Sequence, residues 1–151
     1  MNTEWTESQF EELTWHDNAV HGLSIREGKD GTGELELDID HILEWLEPKK
    51  GFYRFLVAPA SLVFHDVCDL VININYKEPT AGFTPFSISQ IEREDKITAN
   101  GFKTHIWNIG INWPIGFIEF QSSGFTQNLK AKPIESDTQT LRGSERYAVK
   151  P

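Results

Sequence analysis

Cysteine occurs once in the 151 residues, as Cys68, and methionine once. A lone thiol closes no intramolecular disulfide and offers no Cys pair to a structural metal, so the chain reads as a protein of a reducing compartment, with the cytoplasm the expected location. Long hydrophobic runs are also missing. The most apolar stretch, Phe55 to Phe64, has ten residues and is interrupted by Pro59, against the ~20 that a membrane-spanning helix needs. The N-terminus, Met1-Asn2-Thr3-Glu4-Trp5, is acidic where an export signal opens with basic residues. Positive charge is scarce: 14 Lys and Arg stand against 23 Asp and Glu, a formal net charge of -9. Affinity for a phosphate backbone rests on Lys and Arg, so neither nucleic acid nor a membrane is an expected partner.

What the chain has in quantity is aromatic side chains, 10 Phe, 5 Trp and 3 Tyr, within an apolar content of 38%. About 150 residues bury about two-thirds of the unfolded surface, enough for one core without cross-links. The charge is uneven. Residues 1–50 carry 13 acids and 4 bases, residues 51–129 carry 7 and 5, and residues 130–151 carry 3 and 5.

The opening Trp5-Thr6-Glu7-Ser8-Gln9-Phe10 has the spacing of a capped helix start: Thr6 as N-cap, Gln9 reaching back, Trp5 and Phe10 as a staple. A short helix over residues 6–14 is predicted. Beyond it the apolar period falls to two and turn residues recur every ten or so positions, the pattern of antiparallel strands. Leu23 and Ile25 precede the Gly28-to-Gly33 loop, and Leu35, Leu37 and Ile39 follow it, which predicts a hairpin of strands 19–27 and 33–40. Residues 41–47 suit a helix N-capped by Asp40 and stopped by Pro48 as well as a strand. Pro59 predicts a bulge, a break or an edge position within 53–64. Leu70, Ile72, Ile74 and Tyr76 predict a half-buried strand, Glu92 to Lys96 a charged turn, and Trp107, Ile109, Ile111 and Trp113 one buried face of a strand at 103–113. From Lys130 the periodicity dissolves, so residues 1–129 read as a single β-rich domain and 130–151 as an exposed or loosely attached tail. The fold class is mainly β, an antiparallel sandwich or open barrel with a short N-terminal helix.

Three of the five histidines sit beside or close to aspartate: His16-Asp17, Asp38-Ile39-Asp40-His41 and His65-Asp66. Neutral imidazoles with carboxylates are zinc and iron ligands, so His16, Asp17, His21 and His65 form a candidate metal or small-ligand set. Against it, no His pair has the close spacing of a metal motif, and strand alternation puts Asp38 and Asp40 on one face and His41 on the other. There is no Gly-x-Ser-x-Gly turn, and Cys68 neighbours Asp69, which raises rather than lowers a thiol pKa. No catalytic residue and no cofactor is assigned. The same alternation sets Glu34, Glu36, Asp38 and Asp40 on one outward strand face. Trp15 and Trp45 lie beside polar and acidic residues, where an aromatic is often partly exposed and suited to a protein partner or a sugar face.

The runs Trp15-His16-Asp17, Val20-His21-Gly22-Leu23 and Gly33-Glu34-Leu35-Glu36-Leu37-Asp38-Ile39-Asp40 together resemble the opening of a family of small uncharacterised bacterial β-rich proteins. The resemblance implies no activity. In physique the acidic, compact chain is similar to bacterial immunity proteins, many of which neutralise a basic toxin with carboxylates. The function expected is that of a non-catalytic domain binding a basic protein through Glu34, Glu36, Asp38, Asp40, Trp15 and Trp45, with the His/Asp pocket as the alternative.

Overall fold

A computed structural model describes residues 1–146. Nine strands form one antiparallel sheet: β1 (Glu4–Thr6), β2 (Ala19–Glu27), β3 (Gly33–Lys49), β4 (Phe52–Ile74), β5 (Phe86–Ile97), β6 (Lys103–Trp113), β7 (Gly116–Ser122), β8 (Gly124–Leu129) and β9 (Ile134–Ser136). β4 organises the rest. One of its edges takes β3; the other takes β9 at Phe55–Val57, β8 at Ala60–His65 and β7 from Cys68 to Ile74. Since β7 also pairs β6, β6 pairs β5, and β5 pairs β2, the sheet returns on itself as a barrel. The β2–β5 joint has only two residue pairs, so this barrel is all but open there.

The expected hairpin is β2 and β3, turned by a 3-10 segment at Lys29–Gly31 whose Gly31 has φ 74°. Residues 41–47 continue β3 as strand, because β4 supplies partners as far as Lys49. A register shift between Ile42 and Glu44 makes room for Leu43 and brings Trp45 opposite Phe55. Gly33 is required where β3 starts: a Cβ there would lie 2.7 Å from the Val67 carbonyl oxygen.

The inner face follows from alternation. Leu35, Leu37 and Ile39 of β3 face Ala58, Ala60, Leu62 and Phe64 of β4, and Trp107, Ile109, Ile118, Phe120 and Phe125 complete the wall. Phe64 is central, with ring centroids 4.7 Å from Phe120 and 5.1 Å from Trp107. A second, smaller core of Ile42, Phe55, Val57 and Leu141, with Ile134 packed against it, lies on the opposite face of β3 and β4, since Val57 alternates with Ala58.

Several expectations are corrected. The N-terminal helix is a 3-10 segment, Glu7–Glu12; Gln9 does accept the Thr6 N–H (3.1 Å), but Trp5 enters β1 and meets His41, while Phe10 packs on Trp15 and Trp107. Pro59 neither breaks nor bulges β4. Its missing N–H points, with its carbonyl, toward the gap between β8 and β9, where that carbonyl accepts the Lys130 N–H (2.7 Å). Residues 92–96 are strand, and the turn lies at Thr98–Gly101. Arg93 is accommodated on the inner side by stacking 4.4 Å over Phe10 and pairing with Glu7. Ile72 and Trp113 are exposed. In β4 Asp66 and Asp69, both at positive φ (52° and 54°), interrupt the alternation twice, so that Val67 packs on the core and Leu70 and Ile74 do so after it; Ile72 keeps the face of Leu70 and Ile74, opposite Ile118, but stays open to solvent, and Trp113 stands at the end of β6, beyond the buried row.

The segment from Lys130 to Arg146 is not loose. β9 pairs with β4, Leu141 is buried in the second core, and the one-turn helix α1 (Gly143–Arg146) ends on buried Arg146. Residues 147–151, the rest of the expected tail, lie outside the described residues. Among the described residues no helix is long and apolar enough to cross a membrane.

Candidate functional site

Glu34, Glu36, Asp38 and Asp40 do share one face of β3, opposite the buried Leu35, Leu37 and Ile39, and each finds a cation within the chain itself. Arg26, across on β2, pairs with Glu34 (3.5 Å) and Glu36 (3.0 Å). Lys130 Nζ sits 3.0 Å from Asp38, and the Arg146 guanidinium bridges Asp38 and Asp40. Asp40, expected to meet a partner from that outward face, is fully buried: its second oxygen accepts from His21 Nε2 (2.6 Å) and from the Leu141 N–H (2.8 Å). The row expected to await an external base is thus largely satisfied by Arg26, Lys130 and Arg146.

The candidate metal set is dispersed. His16 Nδ1 lies 3.0 Å from the Ser89 carbonyl oxygen; Asp17, at φ 63°, accepts from Asn112 (2.7 Å) and Gln139 (3.0 Å). His21 serves Asp40, and His65 contacts Thr126 (2.9 Å). Among the described residues no three His, Cys, Asp or Glu converge to hold a metal.

His41 falls on the inner side, as alternation predicts. Asn18 Oδ1 accepts the Ile42 N–H (3.3 Å), which leaves Asn18 Nδ2 to donate to His41 Nδ1 (2.9 Å). The imidazole is therefore neutral with its proton on Nε2, in keeping with burial that lowers its pKa from 6.5 to about 4.

The tryptophans divide. Trp15, expected to be partly exposed, is buried, donating from Nε1 to Gln127 Oε1 (2.8 Å) and packing edge-on to Phe125. Trp45 remains 44% exposed. It extends the apolar row that Leu141 and Ile134 cover over Ile42, Val57 and Phe55, and stands just past the end of that cover. Its ring meets Phe55 at 4.9 Å and Tyr53 at 6.4 Å, edge-on in both cases, and is stacked with His16 at 6.4 Å and 21°. Tyr53 (60%) and Phe52 (75%) are more exposed still. A cleft of about 530 Å3 opens beside them, lined by Lys50, Phe52, Tyr53, Arg54, Phe55 and Asp137. Arg54 is held by Glu135 (3.0 Å) and Asp137 (2.9 Å). Glu44 and Glu47, neighbours of Trp45 on β3, are exposed, and neither is ion-paired among the described residues.

Sequence reasoning missed Phe52, Tyr53, Lys130 and Arg146. The first two follow Lys49-Lys50-Gly51, a turn signature beside a Trp-bearing strand; the last two belong to residues 130–151, the one segment of the three with more bases than acids. The fold and patch define a nearly open antiparallel barrel with an uncovered aromatic hairpin end. No protein-family model, curated protein or solved structure matches the chain.

Proposed function

We propose that the chain is a non-catalytic, cytoplasmic binding domain that engages a basic protein through the end of the β3–β4 hairpin, with Trp45 at the centre. The observation that carries this reading is the exposure of Trp45, Tyr53 and Phe52 together at the point where the cover of residues 134–141 stops. Aromatic side chains offer large contact area with few rotatable bonds, and binding energy concentrates on such anchors. Charge sets the partner's chemistry: the chain carries -9, and Glu44 and Glu47, exposed beside the anchor, have no ion-pair partner among the described residues, so a surface bearing Lys or Arg is attracted and oriented. Glu34, Glu36, Asp38 and Asp40 contribute field rather than contact, since their nearest cations are internal.

Proteins captured from native cytosol at low salt, identified and purified, are rebound to wild type and to Trp45→Ala. A basic protein is expected whose affinity falls by about 30-fold, the ~2 kcal/mol of a hot-spot residue. If every captured protein binds the two forms within about threefold, the reading fails.

A further inference from the structure

The ring of strands is joined at its weakest point by Ala19 with Ser87 and Val20 with Phe86, although β2 has nine residues and β5 twelve. A register shift between Val20 and Gly22 turns β2 aside. From Gly22 to Glu27, β2 pairs only with β3 among the described residues. The other arm of this fork is the chain leading into β5. It is a formed wall: the Tyr76 hydroxyl donates to the Thr84 carbonyl (2.7 Å), and the Tyr76 ring meets Phe83 edge-on at 5.3 Å. Between the arms lies a cleft of about 320 Å3, lined on one side by Val20 to Leu23 and on the other by Tyr76 and Phe83 to Phe86.

Free strand edges are ordinarily blunted by Pro, Lys, inward charges or a covering element. The edge Gly22-Leu23-Ser24-Ile25-Arg26-Glu27 has no Pro and no Lys, and its Arg26 is turned to Glu34 and Glu36 on the outer face. Large apolar side chains stand on both arms instead, Ile25 at 66% exposure and Phe83 at 94%.

We infer that the free edge of β2 is a strand-addition site that takes an extended segment of a basic protein, apolar at alternate positions. Main-chain hydrogen bonds to β2 supply affinity, and alternate side chains enter the cleft between Leu23, Ile25 and Phe83. The fork has two walls, so its occupant is a strand free at both edges. The β2 of a second copy arrives with β3 already attached and does not meet that requirement. The net charge of -9 favours Lys and Arg at the segment's outward positions. This surface is separate from Trp45, and either stands without the other.

The test is a displayed library of random linear peptides of about ten residues, selected on the full chain and counter-selected on Ile25→Lys. Enriched peptides are expected to alternate apolar with Lys or Arg, to bind Ile25→Lys and Ser24→Pro at least about tenfold more weakly, and to bind Trp45→Ala unchanged. A backbone N-methyl scan of the peptide should weaken binding at every second position, the period of a strand edge. The inference is overturned if no such peptide is enriched, if the selected peptides bind Ile25→Lys as well as wild type, or if N-methylation shows no two-residue period. Light scattering that finds a wild-type dimer made monomeric by Ile25→Lys overturns it too, because a second copy then occupies the edge.

Discussion

Arg146 and Asp40, 106 residues apart in the chain, form a buried ion pair on the outer face of β3. His21, the Leu141 N–H and Arg146 all donate to Asp40, and Arg146 is held because Asp38 takes its other nitrogen. The pair fastens the segment 130–146 to the middle of the barrel, over the second core. Burying two charges costs desolvation that their attraction repays only when the hydrogen bonds are complete, so the geometry matters more than the count of charges.

Arg146→Ala leaves Asp40 buried without its cation, which should cost about 3 kcal/mol, measured by urea unfolding. A double variant Asp40→Asn with Arg146→Ala should recover part of that loss, because no uncompensated charge remains. A change below about 0.5 kcal/mol for Arg146→Ala would return the segment to the loose tail its composition suggests.

His41 makes stability depend on pH. Its folded pKa of about 4 lies below the ordinary 6.5, so between those values the unfolded chain binds the proton and the folded one does not. Stability from this group is present above pH 6.5 and lost as pH falls toward 4, by up to about 3 kcal/mol. His41→Gln, which does not titrate, should be less stable than wild type at pH 7 and should lose less stability than wild type over that window. Parallel curves for the two proteins would show that the imidazole does not carry the effect.

Two isoleucines separate a covered position from an open one. Ile109→Ala should cost about 2–5 kcal/mol, since the side chain is fully buried in the barrel wall. Ile72→Ala should cost under about 1 kcal/mol, since that side chain is exposed on the far half of β4. Thermal or denaturant unfolding of both checks this, and a loss of about 2 kcal/mol or more for Ile72→Ala would mean that its side chain is covered.

That comparison marks where the fold was legible in the sequence. Period-two patterning identifies the strands and sorts β3 correctly, placing Leu35, Leu37 and Ile39 inside and Asp38 outside, because a hairpin with a glycine turn keeps its register. In β4 the pattern finds Leu70, Ile74 and Tyr76 but misses Val67, because Asp66 and Asp69 adopt positive φ and shift the faces twice, and aspartate in a strand carries no clear signal that it will do so. Residues 130–146 are too polar to announce a structural role. They are retained by a few contacts, Leu141 and Ile134 on the second core and Lys130 and Arg146 on β3 acids, whose partners lie far away in sequence. Of the candidate site, Trp45 was legible from its acidic neighbours. Trp15 was not, because the same polar surroundings in sequence, His16 and Asp17, turn outward while its ring turns in to Gln127.

The exposed acids beside Trp45 give the last prediction. Glu44 and Glu47 are exposed and have no ion-pair partner among the described residues, so Glu44→Lys with Glu47→Lys should change unfolding free energy by less than about 0.5 kcal/mol. Asp38→Lys, by contrast, puts a cation against Lys130 and Arg146 and should destabilise the fold. With a basic partner in hand, stopped-flow association at several salt concentrations reads the other consequence. Rim charges act mainly on the rate of encounter, so the double lysine variant should associate more slowly at low salt and converge on wild type as salt rises. Equal rates at low salt would mean that the field of the remaining acids, not this rim, steers the partner. A slower rate that high salt does not restore would mean that Glu44 or Glu47 makes a direct contact in the complex.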